Sequence, residues 1–315
     1  MSEAESTSAS VRQHTCCRFA LRFVLVATAV MAVLFALFWM RLQTARFERS
    51  IEDSLVTGMG GVDYDYEVND ADEFIPSAKP PGPAWLRKQL GREFVSRIVV
   101  VRIVSEPSDA LLSVLGKLSH LRTLTLRNLQ TRIDTREDGS KVTVYTPTEI
   151  DVTDAGLEHL KGLSRLRVLS VPKSKVTDAG VEHLKGLKAL QELDLGYANI
   201  TEVGLKCLQG LPNLRTLKLY CIDLTDSDMR HLARFSQLQS LNVSKTKITD
   251  AGLASLVRLR QLRDLRIACT EVTDAGLEHI KRLPELRSLY LKDTKVTDQG
   301  VQRLREALPD CEIVR

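Results

Sequence analysis

One six-residue phrase returns along this chain at a fixed spacing of 24 residues. It reads VTDAGL at 152–157 and again at 272–277, and looser copies begin at residues 176, 200, 224, 248 and 296. A period of ~20–50 residues is typical of units that cannot bury their apolar face alone and must stack on their neighbours. The repeat therefore predicts a solenoid for the C-terminal two thirds of the chain.

Each period also contains a second phrase, L-x-x-L-x-L, for example LRVLSV at 166–171. Its apolar positions alternate, which indicates a strand, whereas Leu157, Leu160 and Leu163 recur at helical spacing and face back toward the strand. One period therefore predicts a strand, a turn, a helix and a second turn. The fold class that follows is a right-handed α/β solenoid.

The Thr-Asp pair of each phrase stands where the predicted helix begins. A hydroxyl or carboxylate there can cap the free N–H groups of the first turn, and an acid suits the positive end of the helix dipole. The Ala-Gly that follows is small, so we expect neighbouring units to approach closely at this point. Thr-Asp is therefore interpreted as a helix cap and Ala-Gly as a packing contact.

The L-x-x-L-x-L pattern resembles the leucine-rich repeat, and the T-D-x-G-L helix start resembles its subclass with helical convex faces. Membrane-anchored bacterial proteins of this kind, frequent in planctomycetes, look similar from IEDSLVTG at 51–58 through PPGPAWLRKQLG at 80–91 to the last repeat. The resemblance implies the fold and a binding role. This chain departs from the family's usual asparagine after the strand at Ser174, Ala198, Ile222, Thr246, Thr270 and Thr294.

Residues 23–40 contain no charge and lie between Arg22 and Arg41. At ~1.5 Å per residue such a helix spans about 27 Å, close to the hydrocarbon thickness of a bilayer. A cleaved signal peptide is the alternative, but FALFWM at 35–40 lacks a small-residue cleavage site. The stretch predicts an uncleaved, single-pass signal anchor.

The arginines flanking this stretch do not decide its orientation. Three arginines precede it and three follow it, so the positive-inside count is a tie. The usual behaviour of N-terminal signal anchors favours a cytoplasmic tail with the repeats on the extracytoplasmic side.

The chain divides into a polar tail at 1–22, a transmembrane helix at 23–40, a stalk at 41–59, an N-terminal cap region at 60–106 and a repeat domain at 107–315. Within the cap region, alternation predicts strands near 62–68 and 97–104, and a short helix opens at Trp85. The repeat domain has an insertion at 127–150, which alternates around Asp138-Gly139 and predicts a β-hairpin with a tight turn.

Outward-pointing strand residues form one face of the predicted sheet, here called the concave face. Tyrosine, arginine and lysine collect in its C-terminal half, and tyrosine and arginine are enriched at binding hot spots. An ordinary solvated sheet is the alternative. The candidate ligand-binding residues are Arg215, Lys218, Tyr220, Asn242, Arg266, Tyr290 and Lys292.

A further column at the strand starts is rich in arginine, and adjacent cations there repel one another. An anionic partner would relieve this repulsion, but so would local acids such as Glu192, Asp264 and Glu285, which we favour. The column contains Arg122, Arg167, Gln191, Arg215, Gln239, Arg263 and Arg287.

Metal and disulfide sites are not expected. One helix column contains zinc-ligand residue types, but packed helices lie ~8–10 Å apart and zinc needs ligands within ~2.3 Å. The column consists of His159, His183, Cys207, His231, Ser255 and His279. The acidic stretch DYDYEVNDADEF at 63–74 has neither the glycine nor the glutamate of a calcium loop. We expect no disulfide within the repeats, since Cys221 and Cys269 share a column two repeats apart, ~10 Å, and a disulfide needs Cα atoms within ~7 Å.

No nucleophile elbow, phosphate loop or other catalytic signature occurs. The net charge of +4, with no run of more than two cations, does not indicate nucleic acid. We expect no enzyme activity and no cofactor, but a membrane-displayed module whose partner is a protein or an anionic glycan. The alternatives are a self-associating envelope protein and an adaptor subunit that positions partners for an enzyme.

Overall fold

The computed structural model describes residues 30–53, 60–65, 67–69, 75, 78–79, 81, 84–90, 96–135 and 140–315. The predicted tail, the first seven residues of the predicted membrane span and the Asp138-Gly139 turn lie outside these ranges. The chain forms two compact units. One contains Met1–Ile51 with Pro80–Arg97, and the other contains Glu52–Lys79 with Ile98–Arg315. The five predicted ranges stay a prediction.

The first unit contains helix α1 (Val30–Asp53) up to Ile51, and helix α2 (Ala84–Leu90). Every described residue of α1 up to Met40 is exposed, including Phe35 and Trp39. From Arg41 onward the helix carries buried positions, and Arg41 donates to the Ser96 carbonyl and lies 3.8 Å from Glu48. The helix is long and apolar enough to cross a membrane, as judged by length and composition.

The second unit begins with two paired strands. β1 (Gly60–Tyr64) runs antiparallel to β2 (Ile98–Ile103), and the predicted strands near 62–68 and 97–104 are confirmed in part. Tyr64 is fully buried, and its hydroxyl donates to Glu52 at 2.7 Å. β2 then pairs in parallel with β3 (Thr123–Leu126), so this pair covers the first strand of the repeats.

A ten-stranded sheet runs through this unit in the order β1-β2-β3-β6-β7-β8-β9-β10-β11-β12. From β2 onward all neighbours are parallel, and from β6 to β11 each residue pairs with the one a period later. The predicted columns are therefore confirmed. The remaining strands are β6 (Val168–Ser170), β7 (Glu192–Asp194), β8 (Thr216–Lys218), β9 (Ser240–Asn242), β10 (Asp264–Arg266), β11 (Ser288–Tyr290) and β12 (Glu312–Val314).

A helix alternates with each strand of the repeats. The leucines of the predicted strand and helix phrases, such as Leu157, Leu160 and Leu169, are fully buried and form the core between the two layers. The helices are α3 (Asp109–Leu115), α4 (Asp154–Glu158), α5 (Asp178–Glu182) with a 3₁₀ turn at His183–Gly186, α6 (Glu202–Leu208), α7 (Asp226–Leu232), α8 (Asp250–Leu256), α9 (Asp274–Ile280) and α10 (Asp298–Ala307).

The insertion forms the predicted hairpin. β4 (Asn128–Thr135) pairs antiparallel with β5 (Lys141–Thr148). The Asn128 side chain donates to the Glu149 carbonyl at 3.1 Å, and Lys173 Nζ donates to the Pro147 carbonyl at 2.6 Å. The base of the hairpin is thus tied both to itself and to the next repeat.

The two residues of the Thr-Asp pair make different contacts. The threonine caps its own helix as predicted, since Thr177 Oγ1 accepts from the Ala179 N–H. The expectation for the aspartate was wrong in its target: Asp154 accepts the backbone N–H and the hydroxyl of Thr177 in the next repeat, both at 2.7 Å. The same bidentate contact joins Asp109 to Thr153, Asp178 to Thr201, Asp226 to Thr249, Asp250 to Thr273 and Asp274 to Thr297.

This aspartate ladder explains the glycine of the phrase. A Cβ on Gly252 would lie 2.5 Å from Asp226 Oδ1, which no real Cβ contact reaches, and the other glycines of the column meet the same obstacle. The alanine before it is exposed at each of its four occurrences, so the predicted packing role belongs to the glycine alone.

The ladder breaks once. Glu202 replaces the aspartate in α6. In the next repeat, 24 residues after Gly204, Asp228 replaces the glycine. Asp228 instead accepts the N–H and hydroxyl of Thr225 at 2.9 and 2.8 Å, which closes a capping box within α7. The glycine is therefore lost at the position where no aspartate from the preceding repeat needs the space.

The residues that replace the family's usual asparagine after the strand form an incomplete hydrogen-bonded column. Thr246 and Thr270 are buried, and each hydroxyl donates to a carbonyl three residues earlier at 2.7 Å. Within the described chain, the buried Ser174 hydroxyl has no partner. Ala198 and Ile222 fill the same column with apolar side chains.

Candidate binding surface

The C-terminal part of the concave face is organised by an arginine stacked on a tyrosine. The Arg266 guanidinium lies 4.6 Å from the Tyr290 ring centroid, and its Nε is 3.3 Å from Asp264 Oδ1. About half of the Arg266 side chain remains exposed. Lys292 is exposed beyond the end of β11. Arg266 and Tyr290 therefore lie on neighbouring strands, and Lys292 follows the second of them.

Two predicted residues are already engaged inside the sheet. Asn242 Oδ1 accepts the Ser244 N–H at 3.1 Å and shapes the turn after β9. Lys218 Nζ lies 2.5 Å from Glu192 Oε1, with about a third of each side chain exposed, so its charge is paired. Arg215 is exposed just before β8. We therefore expect Asn242 and Lys218 to contribute less to recognition than Arg266 and Tyr290.

Tyr220 turns away from the C-terminal cluster toward the preceding repeat. Its ring meets the Tyr197 ring edge-on at 5.6 Å between centroids. A Cβ on Gly196 would come within 2.7 Å of Tyr220 Cε2 and closer still to its neighbours, so glycine provides the room for the ring. Lys173 Nζ lies 4.9 Å from the centroid of Tyr197. The predicted cluster is therefore two groups.

Sequence reasoning missed Tyr197. It follows the strand in a loop position with positive φ, shared by Lys173, Cys221 and other residues. With 44% of its surface exposed, it is one of the few large apolar residues left open in the repeat unit. The signal available in the sequence was the Gly196-Tyr197 dipeptide one period before Tyr220.

The hairpin and these tyrosines enclose a cleft of about 310 Å³. Tyr197, Tyr220, Leu129 and the two prolines supply apolar walls, and Arg127 supplies an exposed cation. The lining residues are Arg127, Asn128, Leu129, Pro147, Thr148, Pro172, Lys173, Tyr197 and Tyr220.

A buried carboxylate lies near this cleft. Asp194 is only 4% exposed, accepts the Gly196 N–H at 3.1 Å and lies 3.4 Å from the Ser170 hydroxyl. Burial raises the pKa of Asp194, although Gly196 and Lys218 oppose the shift. Burial and then the charge of Asp194 raise the pKa of Tyr220. Tyr220 therefore stays neutral at physiological pH and can donate a hydrogen bond.

Local acids pair with two arginines at the strand starts, as favoured from the sequence. Arg263 lies 3.8 Å from Glu285, and Arg287 lies 3.7 Å from Asp310. The other two acids named in that interpretation, Glu192 and Asp264, pair instead with Lys218 and Arg266.

The described residues contain no group of three or more histidine, cysteine, aspartate or glutamate side chains that could hold a metal. His231 Nε2 in the histidine column lies 3.0 Å from Glu202 of the preceding helix. Cys207, Cys221, Cys269 and Cys311 are all free thiols.

Comparisons with known proteins found solved structures that are similar to this chain. Internalin C2 of Listeria monocytogenes is similar in structure at 21% identity, covering 69% of this chain and 80% of its own, with a TM-score of 0.48. Internalin InlF of the same organism gives 21% identity, 68% and 64% coverage, and a TM-score of 0.44. No curated protein sequence matches the chain.

The family described as "Leucine-rich repeat region" matches residues 140–310, more than half of the chain. Domains of this family are generally protein-interaction modules. The chain thus belongs to the leucine-rich repeat family.

Proposed function

We propose that this protein is a membrane-anchored, non-catalytic binding module of the planctomycete type that holds a protein partner on its concave face. The observation that carries the proposal is that two clusters of aromatic and cationic side chains lie along the same sheet. Tyr197 and Tyr220 line the hairpin cleft, and Arg266 stacks on Tyr290. Three strand spacings of ~4.8 Å separate them, about 14 Å, well within one protein interface.

The exposed apolar part of α1 supports the anchor. Water-exposed rows of Phe, Leu, Met and Trp are costly, and a bilayer would cover them. We propose that the repeats lie on the extracytoplasmic side. Protease cleavage of the C-terminus in intact cells or spheroplasts, beside a cytoplasmic control protein, tests this. Protection until lysis would place the repeats in the cytoplasm and favour an adaptor role.

Photo-crosslinking in native membranes tests the binding face. A benzoylphenylalanine at Ser288, beside Tyr290 on the sheet, should crosslink a partner protein, whereas one at the exposed helix residue Glu158 should not. Tyr220→Ala and Arg266→Ala should each reduce the crosslink at least about fivefold, in line with hot-spot losses above 1 kcal/mol. Equal crosslinking from both positions would refute the concave face.

The rival classes of function predict different experimental results. A crosslink to a second copy of this chain would indicate a self-associating envelope component. In that case the size of the oligomer should depend on protein concentration and should not change with Arg266→Ala. Turnover that is lost on changing one unrepeated polar residue would instead reveal an enzyme.

A further inference from the structure

One column at the ends of the helices changes its chemistry halfway along the repeats. Glycine occupies it in three successive repeats and arginine in the next three. The column consists of Gly162, Gly186, Gly210, Arg234, Arg258 and Arg282. The three arginines are exposed and belong to consecutive repeats, so they form a row along the helical side of the unit.

A second change on the same side removes the neutralising ion pairs. In α4, α5 and α9 a glutamate pairs with the lysine three residues later, as Glu182 does with Lys185 at 2.7 Å. The equivalent residues are Arg230 and Ala233 in α7, and Ala254 and Val257 in α8. Each acid is thus replaced by a cation or a small residue, and each lysine by an apolar one.

Together these changes form a groove of about 420 Å³ on the helical side. Arg230, Arg234 and Arg258 provide its cations, while Ala233, Ala254 and Ser255 provide a small-residue floor. Ala233 is buried and Ser255 is half-buried, whereas Ala254 is exposed.

Nearby acids do not offset this charge. Residues 229–263 contain seven Lys and Arg but one acid, Asp250. Asp250 is held by Thr273, and Asp226 and Asp228 at the start of α7 are held by Thr249 and Thr225. Across the described chain, no carboxylate pairs with Arg230, Arg234 or Arg258.

We infer that this groove binds an acidic segment of a protein partner, at a site separate from the concave face. Guanidinium groups match carboxylates with paired hydrogen bonds, and the uncompensated charge steers an anion into place. The alanine floor favours a peptide over a phosphate polymer, because a peptide has methylene and backbone surface to lay on it and a hydrated polyphosphate does not.

A labelled peptide of alternating glutamate and alanine tests this on the full chain in zwitterionic detergent. Fluorescence anisotropy should show binding that weakens on raising salt from ~50 to ~200 mM. The double variant Arg234→Glu/Arg258→Glu should weaken binding about tenfold or more, because it places two negative charges opposite the acidic peptide. Arg165→Glu, an exposed arginine in an early repeat, should leave binding unchanged.

Polyphosphate and phosphatidylglycerol vesicles serve as rival probes. The inference is overturned if the peptide binds the wild type and the double variant equally. It is also overturned if a rival probe binds through these arginines and the peptide does not. Circular dichroism melts confirm that the variants fold. The result is independent of the concave face, because Tyr220→Ala should leave peptide binding intact.

Discussion

Asp154 occupies the space in which a side chain on Gly180 would begin. A Cβ on Gly180 would collide with Asp154 Oδ1 and lie 3.1 Å from Asp154 Cα, so both a side chain and the backbone of the preceding repeat block it. The same carboxylate holds Thr177 of the glycine's own repeat. Aspartate and glycine are thus two halves of one contact between repeats.

Gly180→Ala should therefore destabilise the fold by about 2–3 kcal/mol, from overpacking and the strained Asp154 hydrogen bonds. Gly162→Ala is the control, since nothing lies within 4 Å of its added Cβ. Urea denaturation measures both. Equal stability of the two variants would show that the glycine has no steric role.

The broken step of the ladder allows a test in the opposite direction. Glu202→Asp alone should destabilise, because the restored carboxylate would meet the side chain of Asp228. Asp228→Gly alone loses the capping box at Thr225. The double variant recreates the contact seen elsewhere, so a double-mutant cycle should give a favourable coupling of about 1–2 kcal/mol. Additive single effects would contradict the ladder.

Asp274 makes the ladder sensitive to acid. The backbone and then the hydroxyl of Thr297 lower the pKa of Asp274 below its ordinary value. A depressed acid contributes stability that is present above its unfolded pKa of ~3.9 and is lost as pH falls through the folded pKa. Asp274→Asn should thus flatten the loss of stability below about pH 4. Thermal melts across that range measure it, and an unchanged slope would assign the acid sensitivity elsewhere.

Asp194 should behave with the opposite sign. Burial raises the pKa of Asp194, so its ionised form costs stability once pH rises above the unfolded value of ~3.9. Asp194→Asn keeps an acceptor for the Gly196 N–H and removes the charge, so it should raise the melting temperature at pH 7 by a few degrees. The gain should vanish below about pH 4, where both states of the wild type are protonated. A loss at pH 7 would mean that Lys218 and Arg127 outweigh burial.

Much of the candidate site was open to prediction because strand register follows the period. Once Arg266 and Tyr290 were assigned to neighbouring strands at the same position, their contact required no further information. Tyr197 was missed because it lies after the strand, in a loop conformation with φ of 65°, where the alternation on which the prediction relied no longer applies. Tyr220 was assigned to the C-terminal group because alternation predicts on which face of the sheet a side chain lies. It does not predict which neighbouring repeat that side chain contacts.

By itself, the sequence determined the solenoid, the columns, the hairpin and an apolar stretch near the N-terminus, because each depends on a local period or composition. Tertiary structure decided what lies between repeats. Asp154 reaches Thr177 rather than its own helix, Gly196 admits Tyr220, and the loss of glutamate-lysine pairs in α7 and α8 leaves an open groove. These contacts join residues one period apart in sequence, and their geometry is set by how closely the stacked core allows two repeats to approach.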